Sequence, residues 1–176
     1  MPTATIALPE AGEYAADFGK YIQLIPECDL PAYLDTQLAD FNGLLAGLSA
    51  EVSLAHHAPY TWSIREVIGH VTDCERVFGY RAMRIARNDA TPLPLFDDQG
   101  YVRVANFDCW PLADLLAQFD ALRRSHILLL RMLEPEAWIR RGVINGEPMS
   151  LRAMGYSIAG HAQHHLNILH KRLAGK

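Results

Sequence analysis

The stretch SIREVIGHVTDCERVFGYRAMRIAR, residues 63–87, indicates the fold class because its apolar residues recur every three or four positions. Val67, Val71 and Phe78 fall on one side of a helix with this spacing, and one buried side requires other helices to cover it. Ser63 and Glu66 have the S-x-x-E spacing of a capping box, which predicts that a helix begins here. The turn-rich DATPLP predicts its end.

Three further stretches have the same periodicity, at residues 30–48, 111–133 and 150–173. Asp29 can cap the first of them, Pro111 suits the first turn of the second, and Pro135 predicts where the second stops. Four amphipathic helices joined by mostly medium-length connections predict an all-α fold, a four-helix bundle, whose facing side chains can build a site inside the core.

The segments between the helices predict smaller features. The N-terminal 25 residues form a short extension, expected to be a helix or arm across one end of the bundle. Asn145 and Gly146 suit a tight turn between two very short strands. Residues 89–109, between the second and third helices, are predicted to be a long irregular connection and a pocket wall. With 176 residues, we expect a single domain, residues 1–176, with its core at about 29–173.

Composition narrows the function classes. The net charge of −4 argues against a nucleic-acid partner. No run approaches the roughly 20 apolar residues of a membrane span, and the N-terminus does not resemble a secretory signal, so we expect a cytoplasmic protein without a membrane partner. Cys28, Cys74 and Cys109 lack metal or redox spacing and are expected to be buried or partly buried free thiols.

The histidines in GHAQHHLNIL, residues 160–169, differ in helical phase. His161 and His165 are four apart, so they lie about 40° apart on the same side of a helix. That side also carries Met154 and Ile158 and should face the core. His164 lies about 100° away from His165 and is expected to be a bystander.

His70 is a third candidate, since it lies beside the apolar line of the helix at residues 63–87. Three buried imidazoles without partners would be costly, and a divalent metal would remove that cost. Three histidine ligands leave a coordination position open, as catalytic metal sites do. A chance pair, with one hydrogen-bonded core histidine and one at the surface, is the alternative reading of the spacing alone.

The motifs WSIREVIGHVTDCERVFGYRAMRIAR, TPLPLFDDQGYV and GVINGEPMSLRAMGYSIAGHAQHH resemble the DinB/YfiT-like metalloenzyme family over about residues 33–173. The resemblance implies a four-helix bundle that holds nickel, zinc or manganese through His70, His161 and His165. It also implies activities such as those of the family's thiol-dependent S-transferases, its thiol-dependent isomerase and its hydrolase-like members.

Two functions follow as hypotheses. The first is a metal-dependent transferase or hydrolase that activates a low-molecular-weight thiol or water for a small-molecule substrate. The second is a non-catalytic metal-binding or stress-response bundle, which a fourth protein ligand closing the site would favour. We expect a homodimer. The metal, the substrate and any catalytic residue cannot be named from the sequence.

Several polar residues lie near the candidate ligands in sequence and could assist them, although a solvated surface or turn role is the alternative for each. Candidates for orienting the imidazoles are Asp73, Glu75, Gln163 and Asn167. Candidates for the pocket wall are Asp97, Asp98 and Tyr101, and candidates for an anionic cofactor tail are Arg81, Arg84 and Arg87. Cys74 could be a nucleophile, a further ligand or a small core residue.

Overall fold

A computed structural model describes residues 4–174. Its α-helices are α1 (Ala16–Ile22), α2 (Leu30–Leu45), α3 (Ala50–Leu54), α4 (Ile64–Ala86), α5 (Asp98–Ala105), α6 (Leu112–Arg131) and α7 (Leu151–Leu173). Its strands are β1 (Arg141–Ile144) and β2 (Glu147–Ser150), and short 3-10 helices span Phe107–Cys109 and Pro135–Ile139. Residues 1–3 and 175–176 of the predicted domain lie outside the described residues. That the whole chain is one domain stays a prediction.

The four long helices form the predicted bundle. α2 packs against α6 and α7, and α4 packs against the same two helices, so that α2 and α4 lie diagonally opposite each other. α4 and α7 therefore pack directly side by side. This contact brings the second and fourth predicted helices together, and with them the three candidate histidines.

Side-chain caps mark the N-termini of α2, α4 and α7. The hydroxyl of Ser63 accepts from the backbone N–H of Glu66 at 3.0 Å, while the Glu66 carboxylate accepts from the Ser63 N–H at 2.8 Å, which completes the predicted capping box. The side chains of Asp29 and Ser150 cap α2 and α7 by accepting from the backbone N–H groups of Ala32 and Ala153, respectively. Pro111 stands one residue earlier than predicted, at the N-cap of α6.

The connection at residues 89–109 is more regular than predicted. It contains α5, which Asp97 caps by accepting from the Gly100 N–H at 2.8 Å, and it continues into a short 3-10 helix. Val102 and Phe107 are buried. A Cβ on Gly69 of α4 would lie 2.4 Å from the Phe107 ring, so the glycine permits this close approach. The prediction of an irregular segment was wrong because a short capped helix packs on α4.

The N-terminal extension contains α1, which packs along α7 rather than across one end of the bundle. A Cβ on Gly160 would lie 2.1 Å from the backbone oxygen of Tyr21. Only glycine therefore allows α1 to approach α7 this closely, next to His161. The Glu13 carboxylate also ties the extension to α7, because it accepts from the Ser150 hydroxyl at 2.6 Å and pairs with Arg152.

The predicted turn at Asn145 and Gly146 joins two paired antiparallel strands. Both residues have positive φ, 50° and 83°, which suits a two-residue hairpin turn. This part of the prediction is confirmed.

Two apolar clusters make up the core, and a layer of polar side chains separates them. On α2, Gln37 lies between Leu34 of one cluster and Leu38 of the other. On α6, Arg123 lies between Phe119 and Ile127, which again belong to different clusters. Both Gln37 and Arg123 are buried, with 1% and 0% of their surface exposed. The polar layer therefore crosses the middle of the bundle.

The three cysteines are free thiols. Cys28 is half-buried and Cys74 is buried, as predicted, but Cys109 is exposed at the end of a 3-10 helix. Within residues 4–174, the helices lack the combination of length and apolar character that spanning a bilayer requires.

Candidate metal centre

Three imidazoles meet where α4 packs on α7. His70 projects from α4, and His161 and His165 project from α7. One ligand nitrogen from each lies within 4.8 Å of the others, and the Nε2 atoms of His70 and His161 are 3.1 Å apart. Their side chains are buried, with 3%, 5% and 8% of their surface exposed, respectively. The structure therefore brings together the three histidines that the sequence selected.

Aromatic side chains surround this trio. Trp62 lies against His70, with ring centroids 4.8 Å apart, and Phe78 lies against His161 at 5.6 Å. Tyr21 of α1 contacts the edge of His161 at 5.3 Å. These rings limit the access of water to the histidines, and the short N-terminal helix supplies one of them.

Burial keeps the imidazoles neutral. It lowers the pKa of His70 to about 4, although Asp98 partly offsets this effect. Burial also lowers the pKa values of His161 and His165 well below the ordinary value, and the neighbouring histidines add to the effect. Neutral imidazole is the form that binds metals, so near neutral pH the three histidines are in the protonation state that metal binding requires.

The geometry fits a divalent ion. Two nitrogens bound to one ion at about 2.1 Å lie about 3.0 Å apart at a right angle and about 3.4 Å apart at the tetrahedral angle. The 3.1 Å between the Nε2 atoms of His70 and His161 lies in this range. Three buried nitrogen donors within reach of one another also match the imidazole-rich sites of zinc, nickel and iron.

Two further donors lie beside His70. The Sγ atom of Cys74 is 3.8 Å from each ring nitrogen of His70, and a carboxylate oxygen of Asp98 lies within 4.8 Å of both residues' donor atoms. Burial, followed by the charge of Asp98, raises the pKa of the Cys74 thiol, so the thiol stays protonated. This argues against Cys74 as a nucleophile and favours its role as a small core residue.

The two candidates on α4 for orienting the imidazoles, Asp73 and Glu75, bind elsewhere. Asp73 pairs with Arg76 at 2.9 Å. Glu75 forms a buried ion pair with Arg123 at 2.9 Å and contacts Nδ1 of His126 at 3.0 Å. Burial would raise the pKa of Glu75, but Arg123 and His126 together lower it, so the carboxylate is charged.

Of the two orienting candidates on α7, Gln163 bonds to the polar layer, whereas Asn167 is exposed and bonds to Gln163. Gln163 accepts from the Tyr33 hydroxyl and from the Gln37 amide, both at 3.1 Å, and it donates to Asn167 at 2.9 Å. Gln37 in turn accepts from Arg123 at 2.9 Å. These bonds link α2, α6 and α7 beside the histidines.

The three arginines considered for an anionic cofactor tail do not act together, and a salt-bridged role was the alternative for them. Arg81 is buried, donates to the Pro94 carbonyl at 2.6 Å and lies over the Phe96 ring. Arg84 pairs with Asp89 in a salt bridge, whereas Arg87 is exposed. The first two arginines thus hold the segment that follows α4.

The pocket-wall candidates also differ in position. Asp97 caps α5 and pairs with the exposed Arg103 at 3.2 Å, which is turn chemistry rather than a contact with the site. Tyr101 is exposed and packs on Phe96. Of the three candidates, only Asp98 is placed beside a histidine of the trio.

Two other features compete with this centre. A cavity of about 1010 Å³ lies between residues 4–7, the end of α6 and Trp138, and none of the three histidines lines it. His56, Glu66 and Asp108 also place ligand atoms within 4.8 Å of one another. Both of these carboxylates already accept from Ser63, Glu66 from its backbone N–H and Asp108 from its hydroxyl, so hydrogen bonds at the start of α4 account for their positions.

Sequence reasoning missed the buried partners Gln37, Arg123 and His126. A signal was available: Gln37 and Arg123 stand at positions where the apolar stripes of their helices predict a hydrophobic residue. Polar residues at such positions indicate a buried network.

Comparisons with known proteins agree with this fold. A family model described as the DinB superfamily matches residues 33–169. Among solved structures, YfiT from Bacillus subtilis, described as a probable metal-dependent hydrolase with an unusual four-helix bundle topology, superposes with a TM-score of 0.73. It is 17% identical, and the match covers 94% of this chain and 93% of YfiT. No curated protein matches the chain.

Proposed function

The chain belongs to the DinB superfamily, and from this premise we propose that it binds a divalent metal ion through His70, His161 and His165. The 3.1 Å approach of two Nε2 atoms within a buried trio of imidazoles carries the proposal. Nickel, zinc and manganese are the candidate ions. The description of YfiT as metal-dependent supports the proposal.

We further propose that the centre serves a metalloenzyme that activates a low-molecular-weight thiol or water, with transferase-like or hydrolase-like chemistry on a small molecule. A bound divalent ion would supply a Lewis acid that acidifies such a group. The chain's own contribution is neutral ligands, which leave the ion's charge undiminished, and an enclosing set of rings from Tyr21, Trp62 and Phe78.

Metal analysis of purified variants tests the site. We expect about one divalent ion per wild-type chain and almost none in the His161→Ala/His165→Ala variant, with circular dichroism showing that the bundle is retained. His164→Ala is the matched control, because His164 adjoins His165 but is exposed and outside the trio. Equal metal content in the wild type and the double variant would contradict the assignment.

The second candidate is a non-catalytic metal-binding or stress-response dimer. The low exposure of the three imidazoles favours it, since a closed site need not admit a substrate. Cobalt-loaded protein separates the two functions. If the centre is open to ligands, 2-mercaptoethanol should change the visible spectrum of the cobalt, whereas an unchanged spectrum supports the closed, non-catalytic bundle.

A further inference from the structure

Among the residues that the structure describes, one nitrogen of the His70 imidazole has no strong hydrogen-bond partner. Its Nε2 atom faces His161. The contact of Nδ1 within residues 4–174 is the Sγ atom of Cys74, which lies 3.8 Å from both ring nitrogens. A cysteine sulfur is a weak acceptor. Because His70 is almost fully buried, water does not readily replace the missing partner.

The carboxylate of Asp98 is the stronger acceptor within reach. Asp98 is the first residue of α5, the helix that packs on α4. One of its carboxylate oxygens lies within 4.8 Å of a His70 nitrogen and of the Cys74 sulfur. Its Oδ1 atom accepts from the Gln99 N–H at 2.9 Å, and a carboxylate can accept from further donors as well. Asp98 is half-buried, so its charge acts on His70 with limited screening.

Resting on the metal site proposed above, we infer that Asp98 is a positioning residue of the centre, which accepts the Nδ1–H of His70 and leaves Nε2 to bind the metal. A metal-binding histidine usually donates its other N–H to such a group, which fixes the tautomer and the ring orientation. α5 thereby contributes one residue to the centre.

Variants of two adjacent aspartates test this role. Asp98→Ala should weaken zinc binding about 10- to 100-fold, as removal of such partners does, and Asp98→Glu should restore part of the loss. Asp97→Ala is the matched control, since it removes the cap of the same helix and keeps Asp98. Zinc affinity in the control should stay within about threefold of the wild type, because loosening α5 alone leaves the hydrogen bond available.

A spectroscopic readout separates positioning from general stabilisation. In zinc-loaded wild type, nitrogen-15 NMR should show a slowly exchanging Nδ1–H on His70, and Asp98→Ala should lose this signal while Asp97→Ala keeps it. Equal zinc affinities and unchanged signals in all variants would overturn the inference. So would a change in cobalt absorption intensity in Asp98→Ala typical of a lost ligand, because Asp98 would then bind the metal directly. If the wild type itself binds no zinc, the proposed metal site fails instead.

Discussion

At the residue scale, the buried charges of the polar layer depend on each other. Glu75 faces Arg123, which is fully buried, and the pair is isolated from water. Removing one member leaves an uncompensated charge, which costs about 3–5 kcal/mol in comparable sites. We therefore expect Glu75→Gln to lower the free energy of unfolding by about that amount, measured by urea denaturation.

Two controls accompany this prediction. Asp120→Asn breaks an exposed pair with Arg124 on the same helix as Arg123 and should change the unfolding free energy little. The double variant Glu75→Leu/Arg123→Met replaces the buried pair with apolar groups and should be more stable than Glu75→Gln. If Glu75→Gln were as stable as Asp120→Asn, the ion pair would not matter to the fold.

Residue-level prediction from the sequence succeeded where local rules apply. The capping box at Ser63 and the shared phase of His161 and His165 follow from helix geometry alone, and the structure shows both. The 3.1 Å approach of His70 to His161 could not be predicted, since it depends on how α4 packs against α7. The role of the three histidines as ligands stays a prediction.

At the element scale, the contact between α1 and α7 depends on one glycine. A Cβ at position 160 would meet the backbone of Tyr21, which cannot rotate away as a side chain could. Gly160→Ala should therefore displace α1, cost about 1–3 kcal/mol and make the N-terminal segment more sensitive to limited proteolysis. Gly43→Ala is the control: it meets nothing within 4 Å and should stabilise α2 by about 0.5–1 kcal/mol. Equal proteolysis of both variants would contradict the close contact.

The link between the N-terminal extension and α7 should also depend on pH. Hydrogen bonding from Arg152 lowers the pKa of Glu13 from its usual 4.5, against the effect of burial. The carboxylate thus stabilises the fold above pH 4.5, and this contribution is lost as the pH falls through the folded-state pKa. Glu13→Gln should be less stable than the wild type near neutral pH, with a difference that shrinks in acid.

Urea denaturation at about pH 7 and about pH 3.5 measures this difference. The control Glu10→Gln removes a more distant carboxylate that is 3.6 Å from Arg152 and largely exposed. The difference in unfolding free energy between this variant and the wild type should change little with pH. A gap between Glu13→Gln and wild type that stayed constant with pH would show that the charge of Glu13 is not responsible.

The missed elements share a physical cause. α3 and α5 have 5 and 8 residues, too few for a clear apolar period, and they form because larger helices offer them a surface. The N-cap roles of Ser49 and Asp97 were detectable signals, but such residues also begin turns. The four long helices have enough residues to show a clear apolar period, so the sequence alone was sufficient to predict them.

At the scale of the whole molecule, the histidines and the polar layer occupy the middle of the bundle, between two apolar clusters. The clusters hold the four helices in place on either side. A site in this position is rigid, but each of its buried polar groups lowers the stability of the fold unless it has a hydrogen-bond or ionic partner. The ion pair and the amide bonds of Gln37 provide such partners, while the three imidazoles would obtain theirs from a metal.

Metal binding should therefore stabilise the entire fold, because the ion binds the folded chain and joins α4 to α7 at the centre. With zinc at about 100 times its dissociation constant, the gain is about 2.7 kcal/mol, or a rise in Tm of roughly 5–11 °C for a chain of this size. Calorimetry of chelator-treated protein with and without zinc measures the shift. The rise should vanish in His161→Ala/His165→Ala and persist in His164→Ala. An equal rise in all three proteins would mean that zinc binds elsewhere on the chain.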